Sequence, residues 1–207
     1  MQIIPVQVFK VIDTLSYFYV GENSKAFLID PGAEANKLES VAKEKNLTVT
    51  AILLTHSHYD HIGAAGELAD YWDAPIYGGI TSNENAENPK VNLSMFMDEP
   101  YILKNVVEKN DGDIIQLDEN HALKVTETPG HTTDGVTYYD EEHKIAFVGD
   151  TIFEGSYGRT DFPGGSEEIL FKSIKEKIFS LPNDTKLFSG HSNPTTVALE
   201  RNRYYYK

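Results

Sequence analysis

The first half of the chain alternates short apolar runs with polar turns, a pattern that predicts strands separated by single helices. Three β-branched or aromatic runs come before Pro31 and Gly32, which end the third of them. The run TAILLT is apolar at nearly every position, which is typical of a strand buried on both faces. In this half the predicted strands cover residues 6–12, 16–21, 25–30, 50–55 and 75–78, and the predicted helices cover 33–46 and 63–72.

Residues 79–111 interrupt this regular pattern. They combine Asn and Glu clusters with two prolines and a small apolar patch, so we predict an irregular insertion or a mobile lid. Regular patterning then returns, and it predicts strands at 113–117, 123–128, 135–140, 144–150 and 186–190 and helices at 166–180 and from 194. Because no linker divides the two halves, we expect a single α/β domain over 1–207, with two sheets between helices.

The composition excludes several classes of protein. Hydrophobic residues make up 40% of the 207 residues, which is enough for a sizeable core. The net charge is −14, with 18 basic against 32 acidic residues, so nucleic acids and anionic membranes are not expected as partners. The N-terminal segment has no signal-peptide pattern and no apolar run reaches membrane-spanning length, which predicts a cytoplasmic location.

The absence of cysteine narrows the chemistry further. A cysteine nucleophile, an iron–sulfur cluster and a thiolate-bound zinc are all excluded. Any transition metal would have to be held by histidine, aspartate or glutamate. The chain has seven histidines, and five of them fall in three short segments, each of which follows a predicted strand.

The densest of these segments, THSHYDH, predicts a metal site. Side chains two residues apart in an extended segment point the same way, so His56 and His58 can reach one ion. Asp60 and His61 point elsewhere and can reach a second ion. We predict one site of His56, His58 and His131, a second site of Asp60, His61 and His191, and a bridging carboxylate, Asp150. Such nitrogen and oxygen ligands suit two divalent ions, with zinc as the first choice and iron or manganese as the alternatives.

These motifs carry a resemblance to a known family. THSHYDH, PGHT, FVGDT and SGH together resemble the metal-ligand motifs of the metallo-β-lactamase superfamily. The segment GDTIFEGSYGRTDFPGG is similar to the glyoxalase II-like (hydroxyacylglutathione hydrolase-like) branch, in particular its single-domain hydrolases. The resemblance implies a four-layer αββα sandwich with a dinuclear site at one edge of the sheets, and it implies the same seven ligands.

Three residues within these motifs have a further predicted role. Asp60 is the candidate catalytic residue as well as a ligand. Tyr59 lies between ligands and is a candidate substrate contact. Arg159 is a second candidate substrate contact, although it can instead pair with Asp161 and brace its loop.

The expected reaction is the hydrolysis of a small-molecule thioester by a hydroxide held between the two ions. A thiol has a pKa near 8.5, so a thiolate can leave without a strong general acid, and the sequence shows no dedicated acid. Full-length glyoxalase II carries a C-terminal helical domain that binds glutathione. Only 16 residues follow His191, so we do not expect that domain here.

Other functions remain open at this point. A persulfide dioxygenase shares the GRTDF segment and would hold a single iron through His56, His131 and Asp150. A non-catalytic metal-binding module is a second alternative. The set of Asp60, His61 and His191 also resembles that of some true β-lactamases, which are exported, whereas no signal peptide is expected in this chain.

Overall fold

The computed structural model describes residues 1–205, and most of its strands belong to two six-stranded sheets. The single-domain prediction extends to residue 207, and Tyr206 and Lys207 lie outside the described residues. The strands of the first sheet, in spatial order, are β1 (Gln2–Phe9), β2 (Asp13–Val20), β3 (Lys25–Ile29), β4 (Thr48–Leu53), β5 (Ile76–Gly79) and β6 (Val106–Lys109). Strands β3 to β6 run parallel to one another.

In the second sheet four consecutive strands form an antiparallel meander, and a later strand lies parallel to the last of them. In chain order its strands are β7 (Ile114–Gln116), β8 (Ala122–Glu127), β9 (Val136–Asp140), β10 (Ile145–Gly149), β13 (Lys186–Ser189) and β14 (Thr195–Thr196), and β13 lies parallel to β10. Between β10 and β13 the chain forms a short hairpin of β11 (Ile152–Phe153) and β12 (Ser156–Tyr157).

Helices cover the outer faces of both sheets. The α-helices are α1 (Ala35–Glu44), α2 (Tyr59–Ile62), α3 (Ala65–Trp72), α4 (Ser82–Glu87), α5 (Glu167–Ser173) and α6 (Val197–Tyr205). Helix α5 continues into a π-helical turn, Ile174–Ile178, and 3₁₀ turns occupy Glu22–Ser24 and Ser94–Phe96. No helix within residues 1–205 is both long and apolar enough to cross a membrane.

Three separate apolar cores confirm the four-layer αββα sandwich. One core packs α1 and α3 on the first sheet, with Leu38 and Leu68 fully buried. A second core lies between the sheets and contains Phe27 and Phe147, and a third packs α5 and α6 on the second sheet. Alternate residues of one strand enter different cores, which explains why the inner strands are apolar on both faces.

The structure corrects the predicted course of residues 79–111. Instead of an irregular insertion or lid, this stretch contains the end of β5, helix α4, a 3₁₀ turn and the edge strand β6. Leu93 and Leu103 are buried, although Phe96 is exposed. The Asn and Glu clusters obscured the elements because α4 and β6 are short and have only a narrow apolar face.

Smaller differences occur at turns. The first strand ends at Phe9 rather than at residue 12, because Val11 and Ile12 form the exposed tip of a hairpin. The predicted helix at 63–72 is preceded by the separate short helix α2, and the predicted helix from 194 begins with the two-residue strand β14. The β11–β12 hairpin was not predicted.

Candidate metal centre

All seven predicted ligands lie at one edge of the sandwich, where strands end. Parallel strands place their carboxyl ends at the same edge, so the loops that follow them meet. The first sheet supplies four ligands and the second supplies three: His56, His58, Asp60 and His61 follow β4, and His131, Asp150 and His191 follow β8, β10 and β13. His61 is fully buried, whereas 21% of the His191 side chain and 11% of the Asp60 side chain are exposed.

The three histidines predicted for the first site are gathered together. One ligand atom each of His56, His58 and His131 lies within 4.8 Å of the others. The Nε2 atom of His131 is 3.0 Å from the Nδ1 atom of His58. The ring of His56 is nearly perpendicular to both of the other rings, at centroid distances of 4.8 Å. Three nitrogens therefore face a common point.

The second predicted site is equally compact. The Nε2 atoms of His61 and His191 are 3.3 Å apart. The Oδ2 atom of Asp60 is 3.2 Å from Nε2 of His191 and 3.8 Å from Nε2 of His61. Two imidazoles and one carboxylate therefore converge beside the first group.

Asp150, the predicted bridging carboxylate, lies between the two groups. Its Oδ2 atom is 3.5 Å from Nε2 of His131 and 3.3 Å from Nε2 of His191. Its Oδ1 atom is 3.4 Å from Nε2 of His61. A single carboxylate thus reaches nitrogens of both sites.

The donor atoms fit a pair of divalent cations. Nε2 of His56 and Oδ1 of Asp150 are buried, and no hydrogen-bond partner for them occurs in the described part of the chain. An unpartnered buried polar atom is costly, and a coordinated cation removes that cost. The set contains only imidazole nitrogens and carboxylate oxygens, which suit zinc, iron and manganese.

Hydrogen bonds on the far side of three rings fix which nitrogen faces the site. Nδ1 of His61 donates to Oδ2 of Asp30 at 2.9 Å. Nδ1 of His131 donates to the carbonyl oxygen of Arg159 at 2.7 Å, and Nδ1 of His191 donates to that of Asp13 at 2.8 Å. With the proton on Nδ1, the Nε2 lone pair of each neutral ring points into the centre, as a metal ligand requires.

Asp30 is the functional residue that the sequence reasoning missed. Its carboxylate also accepts hydrogen bonds from the backbone N–H (2.7 Å) and the hydroxyl (2.6 Å) of Thr55, so it joins β3 to the start of the ligand segment. Its backbone has a φ of 50°, a left-handed value that is uncommon outside glycine. The sequence contains one indication of its role: Asp30 is an acidic residue at the end of a buried apolar strand, just before Pro31.

Two histidines of the first site, His56 and His58, are neutral before any metal binds. Burial, together with the neighbouring His131, lowers the pKa of His58 to about 3. Burial and the nearby His61 hold the pKa of His56 well below its ordinary value. These rings therefore lose no proton when they bind a cation.

The histidines of the second site behave in the opposite way. Burial lowers the pKa of His191, but hydrogen bonds to Asp150 and Asp60 outweigh burial and raise it to about 10. For His61, too, burial lowers the pKa, and the carboxylates of Asp150, Asp30 and Asp60 outweigh it and raise the pKa well above the ordinary value. A cation at this site would replace protons.

Close packing leaves no room for a side chain at Gly190. A Cβ atom there would overlap the ring of His61 and come within 2.8 Å of Oδ1 of Asp150. The glycine in the SGH segment therefore allows β13 to deliver His191 directly against the other ligands.

The two predicted substrate contacts lie beside the centre. Tyr59 is half-buried, and its backbone N–H donates to the carbonyl oxygen of Asn92. The guanidinium of Arg159 makes two hydrogen bonds to Asp161 and lies 3.9 Å above the ring of Phe162. The pairing that the sequence suggested for Arg159 is thus present, and a substrate contact stays a prediction for both residues.

Sequence comparison places these motifs in a family. The sequence pattern described as Metallo-beta-lactamase superfamily matches residues 10–191 of this chain. The chain is 36% identical to the probable metallo-hydrolase YqgX of Bacillus subtilis, over 93% of this chain and 91% of that protein. It is 32% identical to the hydroxyacylglutathione hydrolase GloC of Haemophilus influenzae, over 97% of this chain and 94% of that protein.

Solved structures share the whole sandwich. The BLEG-1 B3 metallo-beta-lactamase superposes with a TM-score of 0.90 and 32% identity, over 97% of both chains. TTHA1623 in a di-iron-bound form superposes with a TM-score of 0.85 and 33% identity, over 97% of this chain and 98% of that one.

Proposed function

Because this chain belongs to the metallo-β-lactamase superfamily, whose members are metal-dependent hydrolases, we propose that it is a dinuclear hydrolase of small-molecule thioesters. The observation that carries this proposal is the pair of adjoining ligand groups joined by Asp150. The substrates we propose are of the hydroxyacylglutathione type.

Two ions account for the site better than one. A single iron would be held by His56, His131 and Asp150. The other four converging side chains would then have no ion to bind: His58, Asp60, His61 and His191. All seven side chains are used when each group of three holds its own ion and Asp150 serves both. This economy favours the dinuclear hydrolase over the mononuclear dioxygenase.

The ions would supply Lewis acidity, which lowers the pKa of a water from about 15.7 to near 7 and so makes a nucleophile available at neutral pH. The protein's own contribution is to hold the ligands in place. Asp30 and two backbone carbonyls orient three of the imidazoles, and the tight fit at Gly190 keeps His61 against Asp150. Asp60, the candidate catalytic residue, is 11% exposed, and this supports the proposal that it lies next to an entering substrate.

The choice of a thioester follows from the leaving group. A thiolate leaves without a strong acid because the pKa of a thiol is near 8.5. Arg159, the cation of the GRTDF segment, is already engaged by Asp161, so it is poorly placed to neutralise a more basic leaving group. The name of the Haemophilus relative, hydroxyacylglutathione hydrolase, supports the same substrate class.

The proposal is tested by thiol release. Protein loaded with two equivalents of Zn²⁺ is expected to release free thiol from S-lactoylglutathione or a related thioester, and Asp60→Asn is expected to reduce the rate by about 100-fold or more. Asp184→Asn, which alters an exposed carboxylate paired with Lys144, serves as the matched control. Failure of the loaded protein to hydrolyse any thioester would contradict the proposal.

β-Lactam hydrolysis is the second candidate, favoured by the likeness to the BLEG-1 B3 metallo-beta-lactamase. A chromogenic cephalosporin in the same assay separates the two. We expect the thioester to be the better substrate, judged by kcat/KM. Oxygen uptake on glutathione persulfide, with one iron per chain, would instead favour the dioxygenase.

A further inference from the structure

A buried carboxylate three residues after His131 connects the metal centre to helix α4. The side chain of Asp134 is almost completely inaccessible, with 2% of the residue exposed. Its Oδ2 atom accepts hydrogen bonds from the hydroxyls of Ser57, at 2.5 Å, and Ser82, at 3.1 Å. Its Oδ1 atom accepts one from Nδ2 of Asn85 at 2.9 Å. Both oxygens are therefore used.

The first of these donors lies inside the ligand segment. Ser57 stands between His56 and His58, and in extended backbone its side chain points away from theirs. A hydrogen bond to Ser57 therefore holds this segment from behind, while the two rings face the metal centre. The hydroxyl of Ser57 also lies 3.2 Å from the carbonyl oxygen of Ser82.

The other donors lie on α4, which holds the opposite loop as well. Nδ2 of Asn85 also donates to the hydroxyl of Thr133 at 2.9 Å, and the hydroxyl of Thr81 is 3.3 Å from that of Thr133. The loop from His131 to Asp134 is thus fastened to the start of α4 at two adjacent residues.

We infer that Asp134 is a positioning residue that fixes the two ligand-bearing segments of the three-histidine site relative to each other. His56 and His58 come from the first sheet and His131 comes from the second, so the site is assembled across the gap between the sheets. Asp134 spans that gap, with Ser57 on one side and its own loop on the other. Helix α4, within the stretch first predicted to be an insertion, provides the fixed support.

Two serines offer a matched test because each donates to the same oxygen of Asp134. Ser57→Ala removes the donor on the ligand segment, and Ser82→Ala removes the donor on α4. We expect Ser57→Ala to raise the Zn²⁺ dissociation constant of one ion by about tenfold and to alter the visible spectrum of the Co²⁺-substituted protein. We expect Ser82→Ala to leave both measurements within about twofold of wild type, because Asn85 still holds Asp134 on α4.

Asp134→Asn extends the test. Both oxygens of Asp134 accept hydrogen bonds, whereas an asparagine amide has only one oxygen. Its NH₂ group would therefore face a hydrogen-bond donor at one of the two positions. We expect it to weaken Zn²⁺ binding at least as much as Ser57→Ala does. Equal effects of the two serine variants, or a loss of thermal stability with unchanged Zn²⁺ binding and Co²⁺ spectrum, would overturn the inference and leave Asp134 as a general brace.

The inference rests on the metal centre of the proposed function and not on the thioester substrate. Zn²⁺ affinity is measured by competition with a chromophoric chelator, without any substrate. A protein that binds Zn²⁺ normally but hydrolyses no thioester would contradict the proposed function and leave the role of Asp134 intact.

Discussion

Two clusters of histidine and aspartate lie at opposite ends of the same strands. The metal centre follows the carboxyl ends of β8 and β10, and the other cluster lies where these strands begin. In that second cluster Nδ1 of His121 bonds Asp118 at 2.7 Å, and Nδ1 of His143 bonds Asp140 at 2.8 Å. The two imidazole rings stack at a centroid distance of 5.3 Å.

The clusters differ in what their polar atoms do. The hydroxyl of Tyr19 donates to Asp140 at 2.6 Å, and, within residues 1–205, the second cluster contains no buried side-chain polar atom without a partner. The metal centre leaves His56 and Asp150 each with such an atom, Nε2 and Oδ1 respectively. Residue type alone therefore does not distinguish a metal site from a hydrogen-bonded cluster, whereas convergent unpartnered ligand atoms do.

The largest expected difference between the clusters concerns their aspartates. Asp150→Asn removes the shared charge between the two ligand groups, and we expect thioesterase activity to fall by about 100-fold or more, with loss of at least one Zn²⁺ per chain. Asp140→Asn is the matched control, because this buried aspartate precedes β10 as Asp150 follows it. We expect Asp140→Asn to lower the free energy of unfolding by about 1–3 kcal/mol and to leave activity unchanged. Steady-state kinetics, elemental analysis and urea denaturation provide the three measurements.

The next effect concerns Asp30, which touches one ligand ring but no predicted metal position. Asp30→Asn replaces the acceptor for Nδ1 of His61, and we expect Zn²⁺ affinity to fall by about 10- to 100-fold. Competition with a chromophoric chelator measures the Zn²⁺ dissociation constant. An unchanged dissociation constant would mean that the hydrogen bond does not orient the His61 ring.

The sequence was sufficient to predict which seven side chains converge, because the pattern that identifies them is local. The alternation in THSHYDH and the position of each ligand after a strand are visible in one dimension. The four layers could be predicted as well, since the inner strands are apolar at successive positions. Asp30 and Asp134 were missed, because their importance depends on Thr55, Ser57 and Asn85, which only the folded chain brings near them.

A smaller effect follows from the protonation of the second site. In metal-free protein the pKa of His191 is raised to about 10, so its contribution to stability is complete below about pH 6.5 and is lost as the pH rises through 10. We expect the free energy of unfolding of the metal-free protein to decrease between pH 6.5 and 10. Urea denaturation in the presence of a chelator measures it, and His191→Asn is expected to flatten this dependence. A rise in stability over the same interval would contradict the assignment.

The smallest effect is expected from the second cluster. His143→Ala removes one hydrogen bond to Asp140 and one partly exposed ring, so we expect a loss of about 1 kcal/mol in the free energy of unfolding. Zn²⁺ content and kcat/KM should match those of wild type. A change in either would show that the hydrogen-bonded cluster is linked to the metal centre after all.

The central claim is that two ions held by the adjoining ligand groups act together on a thioester. Thiol release from S-lactoylglutathione, measured while metal-free protein is titrated with Zn²⁺, tests it most directly. We predict that the rate rises until two equivalents of Zn²⁺ per chain are bound and is then constant. A plateau at one equivalent, or no thiol release at two, would contradict the account.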